Sequence, residues 1–136
     1  MLSRKQAREN AFVLIFEKSF NDLSFEELLE TAKDVRDFET DEYIEKVLKG
    51  VYDNLENIDK LISENAKGWK IERISRVVLS LLRLAVYEIF NMSDIPSSVS
   101  VNEAVVLCKK YATEEDASYL NGILGGIIRA NVKEEE

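Results

Sequence analysis

The sequence predicts an all-α protein of about seven helices, and three observations lead to that prediction. Only one proline and five glycines occur among 136 residues, so few positions interrupt a helix. Apolar side chains recur at three- and four-residue steps along most of the chain, which is the period of one helical face. Apolar residues make up 46% and charged residues 32%, the balance of a folded domain. At this length we expect a single helical domain over residues 1–136.

The first two helices are predicted from apolar spacing and from a capping motif. Residues 4–20 are predicted to form a helix with two apolar rows. In the second row, successive residues are four positions apart. The second row consists of Phe12, Phe16 and Phe20. Because two rows are apolar, this helix should pack on two sides. Ser24 and Glu27 have the spacing of a capping box, which predicts a second helix over 25–34.

The middle of the chain predicts a long helix followed by a central one. Thr40 is a plausible N-cap for a helix whose apolar stripe runs over 43–62 and which ends near Lys67-Gly68, where glycine can close a helix. The stretch 71–91 has almost no polar face, so it should be a helix surrounded by others.

Two further helices are predicted after Pro96. Ser100 and Glu103 repeat the capping-box spacing and predict a helix to about Ala112, and Thr113 is a candidate cap for a helix over 114–131. Three glycines fall inside this last helix, where each costs up to about 1 kcal/mol relative to alanine. They are Gly122, Gly125 and Gly126. We interpret them as sites of close helix–helix contact rather than of ligand contact.

The charge is distributed unevenly, although the net charge is −8. Residues 21–68 carry fourteen acidic and six basic side chains, whereas residues 1–20 carry four basic and two acidic ones. A basic face can therefore form near the N-terminus of an acidic protein, although a solvated helix face would show the same pattern.

The sequence offers little equipment for catalysis. There is no histidine, which excludes Ser–His and Cys–His pairs and the commonest metal ligand. The single cysteine, Cys108, is interpreted as a small buried hydrophobic residue. The acids of Glu114-Glu115-Asp116 fit the dipole at a helix start better than a cation site. No apolar run reaches the roughly 18 residues of a membrane span. We expect no enzymatic activity, no metal, no cofactor and no membrane association.

The candidate binding residues are cations and aromatic rings. Arg4, Lys5 and Arg8 lie at the start of the first helix, and Tyr111 and Tyr119 flank the connection over 113–118. Single-stranded RNA is commonly held by cations on its phosphates and by rings that stack on unpaired bases. Tyrosines at helix ends are also common in protein cores, so spacing alone leaves a protein-interaction module open.

Five motifs resemble one family in order and approximate spacing over nearly the whole chain. They are Ala7-Arg8-Glu9-x-Ala11, Trp69-x-Ile71-x-Arg73-Ile74, Leu82-Arg83-Leu84-Ala85-x-Tyr87-Glu88, Ile95-Pro96-x-x-Val99-x-Val101-Asn102-Glu103-Ala104-Val105 with Ala112, and Asn121-Gly122-Ile123-Leu124. The sequence resembles the NusB transcription antitermination factors. From the length of the sequence, we expect a NusB factor rather than one of the longer relatives, the RNA cytosine methyltransferases that carry a NusB-like domain ahead of a catalytic one.

The resemblance implies a fold of two roughly perpendicular three-helix bundles without enzymatic activity. It also implies a cytoplasmic protein that binds the boxA element of ribosomal RNA leaders together with NusE, a small-subunit ribosomal protein. The pair would act in the RNA polymerase antitermination complex and promote read-through of ribosomal RNA operons. Some family members form dimers that cover the RNA-binding face, so a homodimer with a minor RNA role remains the alternative.

The resemblance also assigns residues to the two partners. The RNA-binding residues would be Arg4, Lys5, Arg8, Lys110, Tyr111, Tyr119 and Asn121. The NusE-binding residues would be Phe16, Arg83 and Glu88, although the stretch that contains the last two is equally consistent with a structural role. The basic N-terminal segment is thin, because Ser3 and Gln6 interrupt it. We therefore expect weak RNA binding by the protein alone and useful binding only with NusE.

Overall fold

The computed structural model describes residues 2–36, 39–66, 68 and 70–131, and this part of the chain forms seven α-helices. They are α1 (Arg4–Lys18), α2 (Phe25–Arg36), α3 (Glu42–Asp53), α4 (Leu55–Asn65), α5 (Arg76–Asn91), α6 (Ser97–Tyr111) and α7 (Glu114–Asn131), with a short 3₁₀ helix at Ile71–Arg73 before α5. The predicted class, all-α with about seven helices in two three-helix bundles, is confirmed. Lys67 and Trp69, which entered the predictions above, lie outside the described residues.

Side-chain caps start most of these helices. The predicted capping box of α2 is confirmed: the Ser24 N–H donates to Glu27 Oε1 at 2.9 Å and the Glu27 N–H donates to Ser24 Oγ at 3.1 Å. Ser3 and Gln6 form the same reciprocal pair at the start of α1. These two residues therefore interrupt the basic segment because they cap the helix that carries it. The predicted cap of α7 is also confirmed, since Thr113 Oγ1 accepts from the Asp116 N–H at 3.0 Å.

The long helix predicted after Thr40 is wrong in two respects. Its cap is Asp41, whose Oδ1 accepts from the Ile44 N–H at 2.9 Å. The helix also breaks at Asn54, which separates α3 from α4 with φ −117° and ψ 19°. There the Asn54 side chain donates to the Gly50 carbonyl at 2.8 Å, a local bond of the kind with which asparagine competes against a continuous helix.

The predicted capping role of Ser100 is also wrong. Helix α6 begins at Ser97, and its N-cap is Pro96, four residues before Ser100. The Pro96 carbonyl accepts from the Val99 N–H at 2.9 Å. Proline fixes its own φ and lacks an N–H, so it fits the edge of a helix better than the inside. Ser100 instead lies buried in the first turns of α6, and its hydroxyl donates to Glu88 at 2.7 Å.

Buried apolar side chains from all seven helices form one continuous core. Helix α5 lies at its centre, in contact with α1, α3, α4, α6 and α7, as its apolar sequence predicted. One group of helices comprises α1 to α3 and the other α5 to α7, while α4 packs on α5 and α7. None of the described helices has the length and hydropathy needed to cross a membrane.

The glycines of α7 do not share one role. A Cβ on Gly126 would lie 2.8 Å from Asn65 Oδ1, which confirms close contact between α7 and α4 at that position. Around Gly122 there is nothing within 4 Å, so the contact interpretation is wrong there. The tightest contact is at Gly50 on α3, where a Cβ would lie 2.1 Å from Tyr87 Cε1 on α5. The ring of Tyr87 fills the space that a side chain would need.

Alanine should therefore have opposite effects at two helical glycines. Gly50→Ala should destabilise the protein by about 1–3 kcal/mol, because the added methyl overlaps a buried ring. Gly122→Ala should stabilise it by up to about 1 kcal/mol, because alanine favours an exposed helix and meets no neighbour. Urea unfolding followed by circular dichroism measures both changes. Equal effects of the two substitutions would contradict this packing.

Candidate nucleic-acid interface

The first turns of α1 lie against α6, and their side chains are joined by ion pairs. Lys5 Nζ lies 3.2 Å from Glu103 Oε1, and Lys110 Nζ lies 2.6 Å from Glu9 Oε2. The Tyr111 hydroxyl donates to the same oxygen of Glu9. We call the surface formed by Lys5, Glu9, Lys110 and Tyr111 the α1–α6 face. It unites residues that lie about a hundred positions apart in the sequence.

Tyr111 presents an aromatic ring to solvent from a fixed position. The residue is 41% exposed, and its ring packs on the buried Phe12 ring with 5.0 Å between centroids. Lys110 Nζ lies 5.4 Å from the Tyr111 ring centroid. The hydrogen bond to Glu9 raises the pKa of Tyr111, so the phenol stays neutral. An exposed, neutral ring with a rigid backing is a suitable platform for a nucleic-acid base.

Arg4 and Lys5 supply two further cations that remain accessible. The Arg4 guanidinium lies over the Tyr43 ring, 4.5 Å from its centroid, and Arg4 is exposed. The side chain of Lys5 is 68% exposed despite its ion pair with Glu103. Exposed ion pairs contribute little to stability, so Lys5 can exchange Glu103 for a phosphate. The Arg4 guanidinium contacts Tyr43 through its face, which leaves the N–H groups at its edge for a phosphate.

Arg8, by contrast, belongs to a buried polar cluster formed with Tyr43, Glu88 and Ser100. Arg8 Nε donates to Glu88 Oε2 at 2.8 Å, and Arg8 Nη2 lies 3.3 Å from Oε1. The Tyr43 and Ser100 hydroxyls donate to the same carboxylate. Arg8 is 5% exposed and Glu88 is fully buried. The buried cluster therefore joins α1, α3, α5 and α6.

The buried cluster fixes the protonation states of Arg8 and Tyr43. Burial by itself would lower the pKa of Arg8, but the hydrogen bond and charge of Glu88 outweigh that effect and raise it. Burial also raises the pKa of Tyr43, together with the charge of Glu88. Tyr43 is thus a neutral donor and Arg8 a cation at all ordinary pH values. Each Glu88 oxygen has two donors, so the buried carboxylate is well satisfied.

The burial of Arg8 and Glu88 bears on the roles predicted for them. In this structure neither side chain reaches the surface, so neither can contact RNA or a partner without leaving the cluster. The sequence did contain a signal: Arg8 lies in the same helical row as Phe12 and Ile15, and Glu88 follows Leu81 and Leu84 at helical steps. A charged residue in an apolar row requires a buried partner of opposite charge.

Tyr119 and Asn121 lie elsewhere. Tyr119 is half-buried and lines a cavity of about 430 Å³ with Arg73, Ser75 and Asp116 between the starts of α5 and α7. Burial raises the pKa of Tyr119. Asn121 is exposed on α7. The structure thus brings Lys5, Lys110 and Tyr111 to the α1–α6 face. It places Tyr119 at the cavity between the starts of α5 and α7.

A row of aromatic rings continues along α1 from Tyr111. We call Tyr111, Phe12, Phe16 and Phe20 the aromatic row. Phe16 is half-buried between its neighbours, with centroids 6.2 Å from Phe12 and 4.9 Å from Phe20. Phe20 is 60% exposed, and the Arg76 guanidinium lies 4.4 Å from its ring centroid. Sequence reasoning missed Arg76, because nothing local indicates that α5 begins beside the end of α1.

Arg83, also predicted as a partner contact, holds α5 to α4. Its Nε lies 2.9 Å from Asp59 Oδ1 and its Nη2 lies 2.8 Å from Oδ2. The side chain is 12% exposed. Arg83 therefore has a structural pairing of its own, and its predicted contact with NusE remains a prediction.

Cys108 has no catalytic character. It is fully buried on α6, and burial raises the pKa of its thiol to about 11, so the reactive thiolate is not formed at neutral pH. Its interpretation as a buried hydrophobic residue is confirmed. Among the described residues, no group of three or more His, Cys, Asp or Glu side chains could hold a metal ion.

The fold and the α1–α6 face define a class of protein: a small helical domain with accessible cations and an exposed aromatic ring on one surface. Comparison with known proteins places the chain within that class. The sequence model of the NusB family matches residues 5–129, and the chain belongs to the NusB family.

Individual relatives agree in sequence and in fold. The chain is 45% identical over 132 residues to the transcription antitermination protein NusB of Clostridium acetobutylicum, covering 96% of this chain and 98% of that protein. The crystal structure of Thermotoga maritima NusB is similar with a TM-score of 0.85 and 32% identity, covering 97% of this chain and 94% of that one. A crystal structure of NusB and NusE in complex with double-stranded RNA is similar with a TM-score of 0.83 and 27% identity, covering 93% and 96%.

Proposed function

We propose that this protein is an RNA-binding transcription antitermination factor that binds boxA-type RNA together with NusE. In the RNA polymerase antitermination complex, the pair promotes read-through of ribosomal RNA operons. The protein acts in the cytoplasm as a single domain, without a cofactor and without enzymatic activity. The α1–α6 face is the observation that carries this proposal, because it presents cations and a stacking ring on one surface. The complex of a relative with NusE and RNA supports it.

The protein makes two kinds of contact with RNA: contacts to phosphates, which position the strand, and stacking on a base. Arg4, Lys5 and Lys110 contact phosphates, while Tyr111 stacks on an unpaired base. Three phosphate contacts on a single strand give a salt slope of only about 2, at about 0.7 per contact. Because the protein as a whole is acidic, its binding to RNA alone is weak. Arg8 supports this face from the buried cluster rather than touching RNA.

NusE completes the site from the other end of α1. Phe16 and the exposed ring of Phe20, with Arg76 against it, form the apolar and cationic surface that NusE contacts. Aromatic and arginine side chains of this kind are typical anchors of protein interfaces. Arg83 lies on the adjoining stretch of α5, and Glu88 acts through the buried cluster.

The exposure of Phe20 also favours the alternative, a homodimer or protein-interaction module with a minor RNA role. Such a dimer would bury the aromatic row and cover the α1–α6 face. Sedimentation at micromolar concentration separates the two functions. A dimer that persists when boxA RNA is present favours the alternative, and a monomer that binds RNA excludes it.

Fluorescence anisotropy tests the proposed function. A labelled boxA-type RNA and a scrambled RNA are titrated at two salt concentrations, with and without NusE. Wild type should prefer boxA, and NusE should strengthen that preference. Arg4→Ala/Lys5→Ala should weaken boxA binding and lower the salt slope by about 1.4, because two phosphate contacts are lost.

A matched variant controls for the change in net charge. Lys46→Ala/Lys60→Ala removes two exposed lysines from α3 and α4, away from the α1–α6 face, and should leave boxA binding nearly unchanged. Equal affinity of wild type for boxA and scrambled RNA, with NusE absent and present, would contradict the proposed function.

A further inference from the structure

Glu9 places a carboxylate in the middle of a face whose proposed ligand is itself an anion. Its Oε2 accepts from Lys110 Nζ at 2.6 Å and from the Tyr111 hydroxyl. Glu9 lies on α1, whereas both donors lie at the end of α6. One acidic oxygen thus accepts from the Tyr111 hydroxyl and from one of the three donors of Lys110, which a phosphate oxygen would also use.

The geometry makes Glu9 a competitor for phosphate. Because the Lys110 ammonium has three donors, an RNA phosphate that approaches it either replaces the carboxylate, which exchanges one charged acceptor for another, or lies beside the carboxylate as a like charge. The exchange gains little, since the released Glu9 remains beside the incoming phosphate as a like charge. RNA that binds through phosphates alone is therefore disfavoured on this face.

A base that stacks on the Tyr111 ring does not compete with the Glu9 carboxylate. The ring of Tyr111 is held by Phe12, 5.0 Å away, independently of its hydroxyl. A base stacked there brings its edge close to the carboxylate of Glu9, which accepts from the amino groups of cytosine, adenine and guanine. A carboxylate can accept hydrogen bonds from these groups but repels a phosphate.

We propose that Glu9 is a specificity-determining residue, which suppresses phosphate-only binding and accepts a hydrogen bond from a base amino group in the preferred RNA. The proposal rests on the proposed function, because it assigns selectivity to the same face. It differs from a purely structural role for Glu9, in which loss of the carboxylate would weaken every complex alike.

The substitution Glu9→Gln tests this proposal, because it removes the charge and keeps the size of the side chain. Binding of the scrambled RNA should tighten by about two- to fivefold, the range of a partly exposed charge interaction. Its salt slope should rise by about 0.7, because Lys110 then makes with the scrambled RNA the phosphate contact that it makes with boxA-type RNA in the wild type. Binding of the boxA-type RNA should stay the same or weaken. Glu64→Gln, an equal change of charge at an exposed position on α4, should leave the ratio of the two affinities unchanged.

The outcomes separate this proposal from the proposed function. If Glu9→Gln weakens both RNAs in parallel, or leaves the salt slope of the scrambled RNA unchanged, the role of Glu9 is overturned while boxA preference stands. If wild type shows no boxA preference, the proposed function fails, and the proposed specificity role fails with it. In that case a raised salt slope would show only that Glu9 competes with phosphate. Thermal unfolding followed by circular dichroism confirms that each variant is folded.

Discussion

Replacing Glu88 by glutamine is expected to destabilise the protein by about 3–5 kcal/mol, the range for removing one partner of a buried ion pair. The substitution keeps the volume of the side chain but removes the buried counter-charge of Arg8, which is only 5% exposed. Glu103, whose Oε1 lies 3.9 Å from Arg8 Nη1, is 24% exposed and replaces that charge only in part. Such a loss is a large part of the stability of a domain of this size. Urea unfolding followed by circular dichroism measures it directly.

A second ion pair supplies the control for this experiment. Asp59 and Arg83 also form a two-point pair between helices, but their side chains are 25% and 12% exposed. Asp59→Asn should therefore cost about 1 kcal/mol or less, because solvent screens the remaining charge. A Glu88→Gln effect no larger than that of Asp59→Asn would contradict the role of the buried cluster. A double variant with apolar residues at both Arg8 and Glu88 should recover part of the loss, because the buried guanidinium is removed while the Tyr43 and Ser100 hydroxyls lose their acceptor.

Tyr111→Ala is expected to weaken binding of boxA-type RNA by about 1–3 kcal/mol, which is the contribution of one base stacked on an aromatic ring. The reason is that Tyr111 is the half-exposed ring of the α1–α6 face, with Phe12 behind it. Fluorescence anisotropy without NusE measures the change. Tyr111→Phe keeps the ring and should retain most of the affinity.

Phe20→Ala removes a ring of similar size from the far end of the aromatic row and is the matched control. Phe20 is 60% exposed, so its loss should leave the fold and the RNA affinity nearly unchanged. The same variant should weaken binding of NusE. Equal loss of RNA affinity in Tyr111→Ala and Phe20→Ala would place the stacking site elsewhere.

Local signals in the sequence predicted the start of a helix correctly where no side chain from another helix competes for the capping residues. Ser24 with Glu27 and Thr113 with Asp116 form caps within one helical turn, and both are present in the structure. Ser100 and Glu103 have the same spacing but do not form a cap. The Ser100 hydroxyl donates a hydrogen bond to Glu88, twelve residues away, and Glu103 forms an ion pair with Lys5 on α1. A spacing rule cannot detect such tertiary competition.

The difference between local and tertiary contacts also explains which residues of the candidate site could be predicted from the sequence. Tyr111 was selected because rings beside cations are typical of RNA-binding surfaces, and Lys110 was selected from the family resemblance. The structure places both on the α1–α6 face, and their contact with RNA remains a prediction. Glu9 was missed, because its partners lie about a hundred residues away and only the packing of α1 on α6 reveals them. The burial of Arg8 was indicated by its place in an apolar row, but the basic segment around it favoured an exposed interpretation.

The location of the RNA site is the central claim, and an NMR titration of the labelled protein with boxA-type RNA tests it most directly. The amide signals of residues 4–9 and 109–112 should shift most, while those around Phe20 should stay unchanged until NusE is added. Shifts centred on the cavity beside Tyr119, with residues 4–9 and 109–112 unaffected, would contradict the α1–α6 face as the RNA site.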